Sequence, residues 1–306
     1  MRSPILRRLR LGALTVACVY VLTFLMVIAL PGNPFQQGQH HIPPEAEMAL
    51  RAQYDMDNNW VYFWQFLVGA LKLDFGPTFT YNDWTCNQVI ASSLPVSMLI
   101  GLMAVLIAVL IGVPMGVVSA VRRRTWIDVS CLTLVLLGLS LPTFVTGSAL
   151  LIVFSVYLNL APIGGWGTIA HLPLPALTLA LPFIACVARL TRTGMLDALG
   201  SDFVRTAIAK GASKRGVIWK HALPVAILPV VSFLGPAMAQ AMTGSFVVEK
   251  VFGVPGMGQH FVNAALNRDA GLILSTVLVF ATLLVLFNLF VDLVCAMLDP
   301  RIAEGV

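Results

Sequence analysis

Six long apolar runs, separated by polar and charged segments, dominate the pattern along the chain: Leu11 to Leu30, Pro95 to Ala120, Val129 to Tyr157, Leu172 to Ala188, Pro224 to Val248 and Gly271 to Val291. A helix rises 1.5 Å per residue, so about 20 such residues cross the roughly 30 Å of hydrocarbon in a bilayer. Each run therefore predicts a membrane-spanning helix. The fourth is short and carries Pro173, Pro175 and Pro182, yet Arg189 and Arg192 follow it as they would at a membrane exit. The first follows Arg7, Arg8 and Arg10 in the manner of a secretory signal. Its apolar stretch is too long for that, and no A-x-A site follows, so it is read as an uncleaved first helix. The expected fold class is all-α, a polytopic membrane protein with six transmembrane helices and residues 1–306 as a single transmembrane domain.

Composition agrees with the pattern. Of 306 residues 58% are hydrophobic and 11% charged, and mean hydropathy is +0.88; too few polar groups remain to cover a water-facing surface. The net charge of +5 does not point to nucleic acid, because the basic residues fall between the apolar runs instead of on one segment. With the N-terminus inside, the inner segments hold four cations (Arg2, Arg7, Arg8, Arg10), three (Arg122 to Arg124), seven (Arg189, Arg192, Arg205, Lys210, Lys214, Arg215, Lys220) and one (Arg301). Only Arg51, Lys72, Lys250 and Arg268 remain outside. This bias predicts both termini in the cytoplasm, an extracytoplasmic segment at 31–94 and a shorter one at 249–270. The cysteines, Cys18, Cys86, Cys131, Cys186 and Cys295, lie mostly in apolar stretches and read as small apolar residues, not a disulfide framework.

Within 31–94, Trp60, Tyr62, Phe63, Trp64 and Phe66 crowd a stretch whose apolar core, Val61 to Leu71, covers only about half the hydrocarbon thickness. An interfacial helix is expected there in preference to a seventh span. Pro43-Pro44-Glu45 with Glu47 predicts the start of a short outer helix running through Arg51.

Catalytic vocabulary is missing. The chain has no G-x-x-x-x-G-K-[ST] and no H-E-x-x-H, and His40 and His41 form the only close histidine pair, read as a solvated turn. Asp74-Phe75-Gly76 copies a kinase triplet without the rest of that machinery. The first five apolar runs hold no ionisable group; Asp292, at the end of the sixth, sits near the expected cytoplasmic end, where snorkelling or a cytoplasmic arginine partner explains it in preference to a proton relay. Gly112 and Gly116 form G-x-x-x-G, and Gly235, Ala239 and Thr243 continue a small-x-x-x-small face, so close helix packing is expected within the chain or across a dimer.

The loop at 189–223 carries more positive charge than orientation requires. Ser201 can cap a helix with Phe203, Val204, Ala207 and Ile208 on one face and Arg205, Thr206 and Lys210 on the other; Gly211 suits the position just past its end, and a second helix starts at Ser213. So short a stripe needs a surface to rest on, either the bilayer or bundle or a soluble partner. In the outer loop, Gly253, Pro255, Gly256 and Gly258 punctuate a turn before a helix expected at Gln259 to Asn267.

The run Arg205-Thr206-Ala207-Ile208-Ala209-Lys210-Gly211, with Leu223-Pro224 beyond it, resembles the E-A-A-x-x-x-G-x9-I-x-L-P loop of bacterial ABC-importer permeases, with Arg205 in place of Glu and His221 in place of Ile. The R-T-A variant is similar to the peptide/nickel branch. Asp74-Phe75-Gly76, Ser93-Leu94-Pro95, Val248 to Gly258, Asn267-Arg268-Asp269 and Asp299-Pro300-Arg301 resemble, in that order, the B-type permeases of oligopeptide and dipeptide systems.

The resemblance implies an importer half that pairs with a homologous second permease as a heterodimer, two cytoplasmic ATPase subunits and an extracytoplasmic substrate-binding protein. ATP and Mg would be bound by the ATPase subunits and no cofactor by this chain. It further implies that Phe203, Val204, Arg205, Ala207, Lys210, Gly211, Ala212 and Ser213 form a coupling element between spans four and five. Gly253, Pro255, Gly256, Gly258, Arg268 and Asp269 would lie at the outer gate or contact the binding protein. The cargo stays open among oligopeptides, dipeptides, glutathione and nickel complexes. An ion-coupled secondary transporter is the alternative, and a membrane hydrolase lacks a paired nucleophile and base.

Overall fold

The computed structural model describes residues 2–29, 58–81 and 84–298; the expected short helix through Arg51 and the closing Asp299-Pro300-Arg301 lie outside them. Every element named here is helical. They are α1 (Arg2–Ala29), α2 (Asn59–Leu71), α3 (Cys86–Val121), α4 (Trp126–Ser140), α5 (Thr143–Tyr157), α6 (Pro173–Gly200), α7 (Asp202–Ala209), α8 (Lys214–Ala226), α9 (Leu228–Met242), α10 (Phe246–Phe252), α11 (Met257–Asn267) and α12 (Ala270–Leu298). Stretches of α1, α3, α6 and α12 are long and apolar enough to cross a membrane singly, and two bent pairs, α4 with α5 and α8 with α9, qualify only if each pair counts as one span.

The bends correct two expectations. Val129 to Tyr157 is not one rod: α4 and α5 meet at 107°. Leu141, which precedes Pro142, takes φ −81°, ψ 128°, because the proline ring disfavours helical geometry in the residue before it. The fifth run begins earlier than its apolar stretch, at Lys214, bends by 48° between α8 and α9, and ends at Met242, leaving Val248 in the separate helix α10. Pro229, the second residue of α9, has no N–H to offer the preceding turn, which is where the bend falls.

The centre of the bundle is the α3–α6 pair. A Cβ on Gly112 would come 2.9 Å from the Ile184 carbonyl, and one on Gly116 would come 2.5 Å from the Ala188 carbonyl, so the G-x-x-x-G face is used inside this chain. Gly235 of α9 meets Asn288 of α12 in the same way, and Ala239 is buried. Around this pair, Ile100, Ala104, Leu179, Phe183, Ala237 and Phe252 form one apolar cluster toward one end. Val113, Val117, Val187, Met195, Val204 and Val230 form another toward the opposite end.

The aromatic stretch forms α2, whose 13 residues extend about 20 Å, too short to span. It is held on α1: the Tyr20 hydroxyl donates to the Phe63 carbonyl at 2.6 Å, and Tyr20, Phe24, Phe66, Leu274 and Leu278 pack together. Trp60, Trp64 and Leu71 stay exposed.

Candidate functional site

At one end of the bundle α7 runs from Asp202 to Ala209 and stops in a closed turn. The Gly211 N–H donates to the Ile208 carbonyl at 2.9 Å and the Ala212 N–H to the Ala207 carbonyl at 3.1 Å, the paired bonds of a Schellman ending. That ending requires a left-handed residue, and Gly211 has φ +85°. Ser213 then caps α8 by accepting from the Gly216 N–H at 3.2 Å. Ser201 departs from expectation: its hydroxyl turns back and donates to the Ala198 carbonyl at 2.5 Å, leaving α7 without a side-chain cap.

Of the surfaces open to the apolar stripe of α7, the bundle takes its centre. Val204 and Ala207 are buried against the molecule's own core, while Phe203 and Ile208, on either flank of the stripe, are 43% and 57% exposed. Arg205, Lys210, Gly211 and Ser213 are exposed and Ala212 is half-buried. The bundle thus holds α7 in place and leaves a rim of Phe203, Arg205, Ile208 and Lys210 open.

A polar lock, not anticipated from the sequence, fixes this end. Arg192 of α6 donates to both oxygens of Asp128 at 2.8 and 2.9 Å. Asp128 is 4% exposed and also accepts from Ser119 of α3 and from the Arg124 N–H. One signal was available: Asp128 is the sole acidic residue between Asp83 and Asp197. Nearby in kind, Asp292 finds the arginine partner expected for it, Arg8 of α1 at 2.7 Å.

At the other end the segment from Gly244 to Asp269 is organised by two buried carboxylates. Glu249 is 2% exposed. It accepts from Ser97 Oγ at 2.7 Å and from the Gln259 N–H at 3.0 Å, while Ser97 accepts from the Met257 N–H at 2.8 Å. Burial pushes the Glu249 carboxyl above its ordinary range, against the pull of these donors. A methyl at Gly256 would fall on the carboxyl group itself, and one at Gly258 would come 2.7 Å from the Phe246 nitrogen. Asp269 is fully buried, caps α12 through the Leu272 N–H, and gathers the Thr78 hydroxyl and the Phe79 and Thr80 N–H groups.

Comparison with known proteins decides what these two ends belong to. Residues 112–304 match the family described as binding-protein-dependent transport system inner membrane component. The chain belongs to this family. It is 40% identical over 305 residues to the oligopeptide transport system permease protein OppB of Haemophilus influenzae and, equally, to that of Escherichia coli K12, covering 99% of each chain. It is 36% identical over 303 residues to the dipeptide transport system permease protein DppB of Bacillus subtilis, covering 99% of this chain and 98% of the relative.

In this inner membrane component, the residues expected at the outer gate divide in two. Gly253 and Pro255 are exposed at the turn, whereas Gly256, Gly258 and Asp269 are buried and act in holding the segment together; Arg268 is half-buried at φ +57°. The helix expected at Gln259 to Asn267 begins two residues earlier, at Met257. Asp74 of the kinase-like triplet accepts from the Gly76 N–H at 3.1 Å, an ordinary turn contact.

Proposed function

We propose that this chain is the membrane-spanning permease subunit of an ATP-driven, binding-protein-dependent importer of oligopeptides or dipeptides. The observation that carries the reading is 40% identity along 99% of the chain to permeases of oligopeptide transport systems. In this reading the two bent pairs each count as one crossing, giving six spans with both termini in the cytoplasm. The lysine and arginine bias supports that orientation. The chain pairs with a homologous second permease and works with two ATPase subunits, which bind ATP and Mg, and with an extracytoplasmic binding protein.

The α7 rim of Phe203, Arg205, Ile208 and Lys210, followed by the rigid Gly211 turn, is the surface offered to the ATPase. Its apolar flanks supply packing and its cations supply steering. Because Val204 is anchored in the same cluster as Val187 of α6 and Val230 of α9, a push on α7 reaches the spanning helices through packed side chains. At the other end, the exposed Gly253 and Pro255 face the binding protein or the gate.

Reconstituting the chain in proteoliposomes with its second permease, ATPases and binding protein tests the reading. Uptake of a labelled peptide should require both ATP hydrolysis and the binding protein. Transport by this chain alone, driven by an ion gradient without any ATPase, would overturn it.

A further inference from the structure

The exposed faces of the spanning helices are not alike. α3 turns Leu99, Leu102, Leu106 and Leu110 outward, α4 turns out Leu134, Leu136 and Leu137, and α12 turns out Leu286 and Phe290, as helices facing lipid do. α9 exposes no large apolar side chain. Its exposed positions are Pro229, Ser232, Pro236 and Gln240, spaced by three, four and four residues and so on one face of the helix. Thr243, half-buried, continues that face at the helix end. The opposite face is closed: Val230, Gly235, Ala237, Ala239 and Ala241 are buried.

This face carries two polar side chains, Ser232 and Gln240, among its prolines, and a polar group on a spanning helix has a physical cost in lipid. The Gln240 amide bonds nothing among the described residues, and an amide left unpaired in hydrocarbon costs several kcal/mol. This face therefore looks onto water or onto a polar ligand. It borders an open groove in which Pro236, Gln240 and Thr243 form one wall and Val277, Phe280 and Leu284 of α12 form the facing wall.

We infer that the face of α9 that carries Gln240 lines the translocation pathway and that the Gln240 amide hydrogen-bonds the backbone of the peptide in transit, while the Phe280 and Leu284 wall takes its side chains. The inference rests on the importer reading above. Gln carries both a donor and an acceptor, so it matches the N–H and C=O that every peptide presents whatever its side chains. A charged residue at the same point would favour one sign of peptide and repel the other. Among the described residues no charged side chain lines this groove, which is the arrangement a carrier of varied peptides needs.

Gln240→Glu and Gln240→Leu in the reconstituted importer test this, with three labelled peptides of equal length that are acidic, neutral or basic. The wild-type importer must first take up peptide with ATP; if it does not, the function reading fails and not this one. Gln240→Glu should lower uptake of the acidic peptide relative to the basic one by at least roughly tenfold, the ratio expected when unit charges come within about 6 Å of each other in a fully hydrated pathway, with capture by the binding protein unchanged. Gln240→Leu should slow all three alike. Co-purification of the other subunits with each variant shows that assembly survives. An unchanged acidic-to-basic ratio in an assembled Gln240→Glu importer overturns the inference. So does cross-linking of Ser232→Cys and Gln240→Cys to the second permease with no peptide adduct, which would make this face a subunit interface.

Discussion

Arg192 of α6 holds both carboxylate oxygens of Asp128, the third residue of α4, at 2.8 and 2.9 Å, and the same carboxylate accepts from Ser119 of α3. Three helices that meet at one end of the bundle are tied through a single buried acid. The geometry matters more than the charge count, since a forked guanidinium fixes direction as well as distance.

Removing one partner of this pair should cost far more than removing both. Arg192→Ala leaves a buried carboxylate unneutralised and is expected to destabilise the purified protein by roughly 3 kcal/mol. Combining Asp128→Asn with Arg192→Met should recover most of that loss. Unfolding midpoints in detergent would check it; equal damage in the single and double variants would mean that the pair is not coupled.

Gly211 should tolerate substitution according to backbone preference and not to size. Nothing among the described residues lies within 4 Å of a Cβ built there, so the obstacle is φ +85°. Asn, which adopts left-handed geometry, should keep most function, Ala less, and Val least. Gly211→Val is expected to leave assembly and binding-protein capture intact and to abolish substrate-stimulated ATP hydrolysis and uptake. Full ATPase coupling in an assembled Gly211→Val importer would remove the α7 loop from the coupling path.

Glu249 predicts a pH dependence with a definite sign. Its carboxyl is raised above the ordinary 4.5 by burial, so the closed segment binds a proton more readily than the opened one. Its stabilisation is complete below that ordinary value and is lost as pH rises through the raised native value. Hydrogen-exchange protection of the α11 amides at Gly258 and Gln259, corrected for intrinsic rates, should fall with rising pH in the wild type. In Glu249→Gln it should be flat.

Cross-linking from the outer turn must start from a residue that reaches solvent. Gly256 is buried against Glu249, whereas Pro255 is exposed. Pro255→Cys should form adducts with the binding protein or the second permease while preserving uptake, and Gly256→Cys should damage the segment before any adduct forms. Normal uptake and reactivity at position 256 would contradict the packing described here.

The packing of α3 and α4 against α6 predicts a steep steric gradient. Gly116→Val would drive a side chain into the Ala188 carbonyl and Thr191, while Gly138→Ala meets its nearest atom at 3.3 Å. Gly116→Val should fail to accumulate in the membrane, and Gly138→Ala should differ from the wild type by no more than about 1 kcal/mol. Immunodetection and thermal unfolding measure the two.

Much of this protein was legible along the chain because its strongest signals are local. Apolar runs of bilayer length require helices, since backbone groups in lipid must bond within their own segment. The ending of α7 was readable too, because a left-handed turn selects Gly211 by sterics that involve no distant residue. Even Asp292 could be assigned an arginine partner from its place near a helix end, although which arginine was not stated.

What only tertiary structure decided are relations between residues far apart in sequence. Asp128 and Arg192 are 64 residues apart and Ser97 and Glu249 are 152 apart; no periodicity records which buried acid meets which donor. The glycines at 256 and 258 read as turn residues, but their constraint is the Glu249 carboxyl pressed against them. The bend at Pro142 was written in the proline, yet its size, 107°, depends on what α4 and α5 pack against. The apolar stripe of α7 could have rested on the bilayer, the bundle or a soluble partner, and the fold gave its centre to the bundle and left its flanks exposed. Hydropathy fixes how much surface must be covered, and packing alone determines which neighbour covers it.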